Sequence, residues 1–199
     1  MTLVSQPDLI AGAIAGNVVS FPTDTVPALA VKPELANLIF AIKRRPSNKP
    51  LILMAASWSD LLPYLSGTPQ EFDIWQHTAN KYFPGAVTLV LSASDAVPEV
   101  INPTDSKTVG VRIPDSKIAL EILRETGVLA TTSANLSGEP PLRSMTEIAQ
   151  AFPQVLVMKQ PGEIIGSGLP STVVQWTKGN WNILRQGSIQ WVSKQSCES

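Results

Sequence analysis

A segment of small polar residues, Thr131–Gly138 (TTSANLSG), directly follows the apolar run Gly127–Ala130. The apolar run predicts a buried strand, and open α/β sheets bind ligands where their strands end. The hydroxyl and amide groups of the segment could hydrogen-bond a polar ligand without contributing a charge. The same residue types also favour an ordinary turn, because their side chains bond to the nearby backbone. Taken alone, the segment is compatible with either a binding site or a turn.

The densest cluster of positive charge lies in Lys43–Leu51 (KRRPSNKPL), which holds four of the fifteen Lys and Arg residues. Its two prolines restrict the backbone, so the cations lose less freedom when they meet a ligand. If the first three residues are extended, Lys43 and Arg45 project from one face, because residues two apart do so in a strand. An ammonium and a guanidinium aimed together suit a polyphosphate. The alternative is a solvated basic loop at the end of a helix.

Polar residues also follow or interrupt other predicted strands. Ser20–Pro27 (SFPTDTVP) ends in small polar residues between prolines, which is equally typical of a rigid turn. Arg112 stands among the apolar residues of the predicted strand Val109–Ile113, where a charge must be paired or bind a ligand. Near the C-terminus, Pro170–Val174 and Ile183–Gly187 repeat the pattern of polar residues at a strand edge.

Several chemistries are excluded by composition. The sequence has one histidine, His77, and one cysteine, Cys197, which are too few ligands for a zinc site. A single cysteine also cannot form an intramolecular disulfide, and the lack of one fits a reducing compartment. His77 falls in a presumed amphipathic helix, so we expect it at the surface or at the boundary of the core. Neither GxxxxGK[ST] nor GxGxxG occurs, so a standard glycine loop would not hold phosphate.

The charge balance and hydropathy favour a cytoplasmic protein with no membrane association. The net charge is −1, so no overall positive field draws the chain to nucleic acid. The first twenty residues contain Asp8 and no Lys or Arg, which argues against a signal peptide. No apolar run approaches the roughly 18–20 residues that a membrane span requires.

Alternating helix and strand patterns predict a single α/β domain, for which 199 residues with 44% hydrophobic content are sufficient. The helix at Glu34–Arg44 should end near Arg44, since Pro46 disfavours helical backbone at the residue before it. The other predicted helices are Gln6–Ala15, Trp58–Tyr64, Glu71–Tyr82, Ser116–Arg124 and Met145–Ala151. The predicted strands are Val18–Phe21, Ala28–Val31, Leu51–Ala55, Val87–Leu91, Val109–Ile113, Gly127–Ala130, Val155–Val157, Thr172–Gln175 and Trp181–Leu184.

Seven blocks, in order along the chain, make it resemble the YrdC-like family, the threonylcarbamoyl-AMP synthases. The resemblance implies a YrdC-like domain over residues 5–190, followed by a polar C-terminal tail over residues 191–199. It also implies a twisted sheet of mixed parallel and antiparallel strands with helices and a concave basic cavity. The blocks are Pro22–Thr25, Lys43–Leu51, Phe83–Gly85 leading to Thr88, Val111–Pro114, Ser133–Gly138, Pro170–Val174 and Leu184–Gly187.

The activity that the resemblance implies is that of a nucleotidyltransferase. It would form threonylcarbamoyl-AMP from L-threonine, bicarbonate and ATP, with release of pyrophosphate and with Mg²⁺ accompanying the nucleotide. The product would serve the threonylcarbamoyladenosine modification of tRNA, so tRNA or a tRNA-modification transferase is an expected partner. Because attack on a phosphorus atom needs positioning and charge neutralisation, the lack of a candidate nucleophile is not an obstacle.

The resemblance also implies roles for individual residues. Those that match the family's signature tetrad, and are expected to be catalytic, are Lys43, Arg45, Ser133 and Asn135. The residues expected to bind ATP are Arg45, Lys49, Thr108, Ser133 and Arg185, and those expected around L-threonine are Thr25, Arg112, Thr131 and Ser171. No residue of the chain is expected to ligate a metal. Loss of Arg45 should reduce turnover strongly.

One segment departs from the family pattern. Synthases typically continue the Pro-Thr-Asp-Thr block with an aromatic residue and Gly-Leu-Gly, whereas this chain has Val26–Ala30 (VPALA). Pro27 lacks a backbone donor and an aromatic surface, and alanine replaces both glycines. The resemblance places this segment beside the threonine. Two alternatives therefore stay open: a non-catalytic protein that binds tRNA or rRNA, and a related ATP-using enzyme with a different amine substrate.

Overall fold

Ten strands of the described chain form one sheet in this structure, a computed structural model that describes residues 3–44, 46, 48–159 and 166–191. The strands are β1 (Leu3–Val4), β2 (Val19–Phe21), β3 (Ala28–Val31), β4 (Ile52–Met54), β5 (Val87–Ser92), β6 (Thr108–Arg112), β7 (Leu129–Ser133), β8 (Leu156–Met158), β9 (Thr172–Thr177) and β10 (Asn180–Arg185). Their order across the sheet is β1-β8-β2-β3-β7-β4-β6-β5-β9-β10.

Parallel and antiparallel pairs alternate irregularly across this sheet. β8 is parallel to both β1 and β2, β4 is parallel to β6, and β5 is parallel to β9. The remaining neighbours are antiparallel, including the hairpins β2–β3 and β9–β10. The predicted α/β fold with a mixed sheet is confirmed. Every predicted strand is present within a few residues of its expected bounds, whereas the two-residue strand β1 was not predicted.

The helices are α1 (Gln6–Ile14), α2 (Asn37–Lys43), α3 (Trp58–Leu61), α4 (Pro69–Tyr82), α5 (Lys117–Thr126) and α6 (Met145–Ala151). Short 3₁₀ turns occupy Pro33–Leu35, Leu62–Tyr64 and Glu99–Ile101. The predicted helices Glu34–Arg44 and Trp58–Tyr64 are therefore wrong as continuous helices, since each contains a 3₁₀ turn. Capping boxes at Ser57, Thr68 and Ser144 fix the starts of α3, α4 and α6, because each side chain accepts from the third helical backbone N–H.

The end of α2 sets the position of a basic side chain. The helix ends at Lys43, and Arg44 adopts a left-handed conformation with φ of 48°. An end near Arg44 is thus confirmed, but Lys43 is helical rather than extended, and its side chain is only 1% exposed. Arg45 lies outside the described residues. The condition for a common face of Lys43 and Arg45, an extended backbone from Lys43 onward, is therefore not met at Lys43.

Aliphatic and aromatic side chains from the sheet and the helices form a single core cluster. Trp75 is fully buried, Trp176 and Trp191 are nearly so, and Trp191 stacks on Tyr82 with ring centroids 4.5 Å apart. His77 is exposed, as predicted. Of the polar tail predicted over residues 191–199, Trp191 instead packs in the core, and residues 192–199 lie outside the described residues. Across the described ranges, none of the helices has the length and apolar character needed to cross a membrane.

We expect α2 to stabilise the folded protein mainly through the side chains that it buries. Ile39 is fully buried and the adjacent Leu38 is 37% exposed. Ile39→Ala should lower the free energy of unfolding by about 2–5 kcal/mol, since it deletes buried methylene groups and leaves a cavity. Leu38→Ala, the matched control in the same helix, should change it by no more than about 0.5 kcal/mol. Urea denaturation of both variants measures the difference, and equal losses would contradict this packing.

Candidate functional site

A cavity of about 330 Å³ lies across one face of the sheet. Its floor comes from cross-strand pairs, whose side chains share a face: Ala28 with Ser133, Ile52 with Thr131, and Met54 with Arg112. The cavity therefore lies over the face of β3, β7, β4 and β6. The sequence predicted a site only at the strand end, where the segment Thr131–Gly138 begins. The mixed strand directions explain this, because neighbouring strands do not all end at one edge.

Gly110 packs tightly against Ile52, a residue of the cavity floor. Gly110 lies on β6 beside Ile52 of β4, and a Cβ at Gly110 would come within 2.8 Å of the Ile52 Cγ2 atom and 3.4 Å of the Thr88 Cγ2 atom. A larger residue at this position would displace those neighbours. Close packing against Ile52 and Thr88 therefore accounts for glycine at this position.

Arg112 enters the cavity from β6 and is only 4% exposed. Its Nη2 donates to Asp24 Oδ1 at 2.6 Å, its Nη1 to Thr25 Oγ1 at 2.9 Å, and its Nε to the Gly85 carbonyl at 3.1 Å. Burial lowers the pKa of Arg112, and the neighbouring Asp24 carboxylate opposes that shift. The expectation that Arg112 is paired is thus met, and the same side chain also lines the cavity.

The segment after β2 folds over the sheet to meet this arginine. Thr23 Oγ1 accepts from the Thr25 backbone N–H at 3.2 Å and donates to the Val26 carbonyl at 2.8 Å. These local bonds make a tight turn that presents Asp24 and Thr25 to Arg112. Asp24 was not among the predicted site residues, although its place between two threonines at a strand end was a usable signal.

Ser171 and Arg185 form the wall opposite the β7 loop. Arg185 donates from Nε and Nη2 to the Ser171 carbonyl at 3.2 and 3.0 Å, and from Nη2 to Ser171 Oγ at 3.3 Å. A register shift in β10 between Ile183 and Arg185 directs this side chain, since bulges re-aim side chains. Desolvation and the like charge of Arg112 both lower the pKa of Arg185.

Lys43 fixes the loop after β7 from behind. Its Nζ donates to the Ser133 carbonyl and, at 3.3 Å, to Asn135 Oδ1. Ser133 Oγ also donates to Asn135 Oδ1, while Asn135 Nδ2 donates to the carbonyls of Leu136 and Glu139 at 2.7 Å. The loop is therefore held by side-chain bonds to backbone carbonyls, and Ser133 and Asn135 face the cavity.

The structure brings together most, but not all, of the predicted site residues. Those that line the cavity are Thr25, Arg112, Thr131, Ser133, Asn135, Ser171 and Arg185. Lys43 lies behind the lining, Lys49 lies beside the lining residue Pro50, and Arg45 is not described. Thr108 lies away from the cavity, with its hydroxyl 3.0 Å from Asp105 Oδ2 and 3.1 Å from Asn102 Nδ2.

The divergent segment is part of the wall. Val26, Pro27 and Ala28 all line the cavity, next to the β7 loop. The Pro27 carbonyl accepts from the Ala134 backbone N–H at 2.8 Å, so the wall and the loop are joined through the backbone. The residues that differ from the family pattern therefore contact the same space as the predicted site residues.

No metal-binding cluster accompanies the cavity in the described ranges. We find no group of three or more His, Cys, Asp or Glu side chains there that could hold a metal ion. Magnesium commonly binds through substrate phosphates with few protein carboxylates.

Comparisons with known proteins give a consistent picture. The model of the Sua5/YciO/YrdC family, described as "Telomere recombination", matches residues 14–187. The chain is 34% identical to the threonylcarbamoyl-AMP synthase of Pyrococcus abyssi, over 87% of this chain and 51% of that protein. It is 32% identical to that of Shigella flexneri, over 92% of this chain and 97% of that protein. The chain thus spans about half the length of the archaeal relative and nearly all of the other.

A solved structure extends the likeness to the fold. The crystal structure of P. abyssi Sua5 complexed with L-threonine matches with a TM-score of 0.79 and 32% identity, over 92% of this chain and 55% of that one. E. coli YciO, 24% identical with a TM-score of 0.74, shares the fold.

The buried ion pair should be a large contributor to stability. Asp24→Ala should lower the free energy of unfolding by about 3–5 kcal/mol, because it leaves the Arg112 charge buried without its partner. Asp73→Ala, at an exposed position on α4, is the control and should cost no more than about 0.5 kcal/mol. The double variant Asp24→Ala/Arg112→Met should lose less than the sum of the single losses. Strict additivity in urea denaturation would contradict the pairing.

Proposed function

The chain belongs to the Sua5/YciO/YrdC family, and we propose that it is a threonylcarbamoyl-AMP synthase. It would convert L-threonine, bicarbonate and ATP to threonylcarbamoyl-AMP and pyrophosphate, for the threonylcarbamoyladenosine modification of tRNA. The observation that carries the proposal is one cavity with a hydroxyl–amide loop, Ser133–Asn135, on one side and Arg112 and Arg185 on the other. The curated relatives carry the name of this activity.

The two arginines of the cavity suit these substrates, because each of them carries an anionic group at neutral pH: the carboxylate of L-threonine, bicarbonate itself and the phosphates of ATP. Asp24 pairs with Arg112, and Glu139 adds a carboxylate to the lining, so Arg185 is the lining cation that has no carboxylate partner among the described residues and could meet an anionic group of a ligand. Burial, and then repulsion from Arg112, lower the pKa of Arg185, and an anion between the two arginines would relieve the repulsion. The arginines are preorganised by bonds to Gly85 and Ser171, so little reorganisation accompanies binding.

We assign the amino acid to the part of the cavity lined by Thr25, Arg112, Thr131 and Ser171. ATP would contact Ser133 and Arg185, and its phosphates would carry Mg²⁺. The predicted ATP contacts of Lys49 and Thr108 require the nucleotide to extend beyond the cavity. Thr108 is four residues from Arg112 along β6, which corresponds to roughly 13 Å. Arg45 would add a further cation.

The chemical step places few demands on acid–base groups. The neutral amine of threonine condenses with bicarbonate to a carbamate, with loss of one water molecule. A carbamate oxygen then attacks the α-phosphorus of ATP, and the bond to pyrophosphate breaks as pyrophosphate leaves. The chain's own residues bind and orient the two reactants and neutralise charge. In this scheme Lys43 keeps Ser133 and Asn135 in place and adds a positive charge behind them.

A second candidate is a related carbamoylating enzyme that uses another amine. Val26, Pro27 and Ala28 line the cavity where the family has an aromatic residue and glycine, so the space next to the amine differs. Pyrophosphate release stimulated by another amino acid, but not by L-threonine, would favour this candidate. Steeply salt-dependent binding of RNA without any amino-acid-dependent ATP turnover would instead favour a non-catalytic RNA-binding protein.

The purified protein, incubated with L-threonine, bicarbonate, ATP and Mg²⁺, should release pyrophosphate and form threonylcarbamoyl-AMP, detected by mass spectrometry. Lys43→Met should lower kcat by about 10²–10³, the loss found when one preorganised electrostatic group is removed. Lys117→Met, an exposed lysine on α5, is the control and should retain full activity. Thermal melts identify any loss due to unfolding. Threonine-independent ATP turnover, or none, would refute the proposal.

A further inference from the structure

Thr88 and Ser171 form a buried hydroxyl pair behind the cavity wall. Their Oγ atoms are 2.9 Å apart, and the residues are 0% and 5% exposed. Thr88 lies on β5 and Ser171 immediately precedes β9, and these strands are parallel neighbours with Val87 opposite Thr172. The sheet register therefore fixes the pair. Ser171 lines the cavity, whereas Thr88 lies behind it.

The direction of this hydrogen bond follows from the acceptors available to each hydroxyl. In the part of the chain that the structure describes, Ser171 Oγ is the hydrogen-bond partner of the Thr88 hydroxyl. If Ser171 were the donor, the buried Thr88 proton would have no acceptor, which is unfavourable. Thr88 therefore donates and Ser171 accepts.

Ser171 receives a second hydrogen bond from a group that can only donate. Arg185 Nη2 lies 3.3 Å from Ser171 Oγ, and a guanidinium has no acceptor. A hydroxyl oxygen has two acceptor lone pairs, so the bonds from Thr88 and Arg185 fill both. The Ser171 hydroxyl can then make one further hydrogen bond, as a donor. Because Ser171 lines the cavity, the acceptor of that bond would be a group in the cavity.

We propose that Thr88 is a positioning residue that makes the Ser171 hydroxyl an obligatory donor to an oxygen atom of the amino-acid substrate. The assignment of the amino acid to this wall rests on the proposed function. Thr88 touches no reactant in this scheme and acts through Ser171 alone. A substrate group that can only donate would find no acceptor at Ser171, so the pair selects for a carboxylate, carbonyl or hydroxyl oxygen at this point.

The test replaces the Thr88 hydroxyl without changing the shape of the side chain. Thr88→Val should raise KM for L-threonine about three- to tenfold, the loss typical of one net hydrogen bond, with kcat and the KM for ATP changed less than about twofold. Thr88→Ser restores the hydroxyl and should bring KM back to within about twofold of the wild type. In a Ser171→Ala background, Thr88→Val should change KM by less than about twofold, because the two residues act as one unit.

Thr172→Val is the matched control. Thr172 is also fully buried, but its hydroxyl contacts the Ile189 carbonyl and the Gly187 N–H instead of the cavity. It should affect thermal stability and leave KM for L-threonine unchanged. An unchanged KM in Thr88→Val, failure of Thr88→Ser to restore it, or an equal rise in Thr172→Val would each overturn the inference.

The dissociation constant for L-threonine, measured by calorimetry, separates this inference from the proposed function. Wild-type protein that binds L-threonine but forms no adenylate contradicts the proposed function, and the Kd values of the same variants then decide the role of Thr88. Wild-type protein that binds no L-threonine overturns both.

Discussion

The buried ion pair between Asp24 and Arg112 is the constraint on which the rest of the site depends. A guanidinium on a central strand, 4% exposed, is tolerated only with a charged partner and satisfied donors. Asp24 supplies the charge from a residue 88 positions away, and Thr25 and Gly85 accept the other bonds. Pairing this arginine therefore draws the β2–β3 connection and the segment before β5 onto the same face of the sheet. The cavity is the space left between them, so its shape and its charge have one origin.

Lys43 imposes a similar constraint on the opposite side. The helix α2 ends just where its last side chain can enter the protein, and the left-handed residue Arg44 then turns the backbone away. The buried ammonium binds Ser133 and Asn135, so a helix end and a strand end are joined through a side chain. Lys43 and Arg112, which composition alone would place on the surface, are thus both buried. Each holds polar groups at fixed positions facing the cavity, which is the property that electrostatic catalysis requires.

Local patterns predicted the elements well and their assembly less well. The spacing of apolar residues located the strands and the long helices, because burial on one face is a local signal. The 3₁₀ turns at Pro33–Leu35 and Leu62–Tyr64 escaped prediction, since their apolar spacing resembles that of an α-helix. Asp24 as the partner of Arg112, and the helical Lys43, depend on contacts between distant residues that no local pattern contains. The resemblance to a known family supplied the grouping of residues from β2, β6, β7 and β9, which spacing alone left open.

The divergent segment Val26–Ala30 changes the surface of the cavity more than its framework. Pro27 removes a backbone donor, but the carbonyl of Pro27 still accepts the Ala134 N–H, and Ala28 still pairs with Ser133. The link between the turn at Thr25 and the loop at Ser133–Asn135 therefore does not need the residues that were replaced. What differs is the side chain presented to the ligand: a rigid ring at Pro27 and a methyl group at Ala28. Under the proposed function, such a change would alter which amine fits beside Thr25, while the backbone bond to Ala134 and the pairing of Ala28 with Ser133 stay in place.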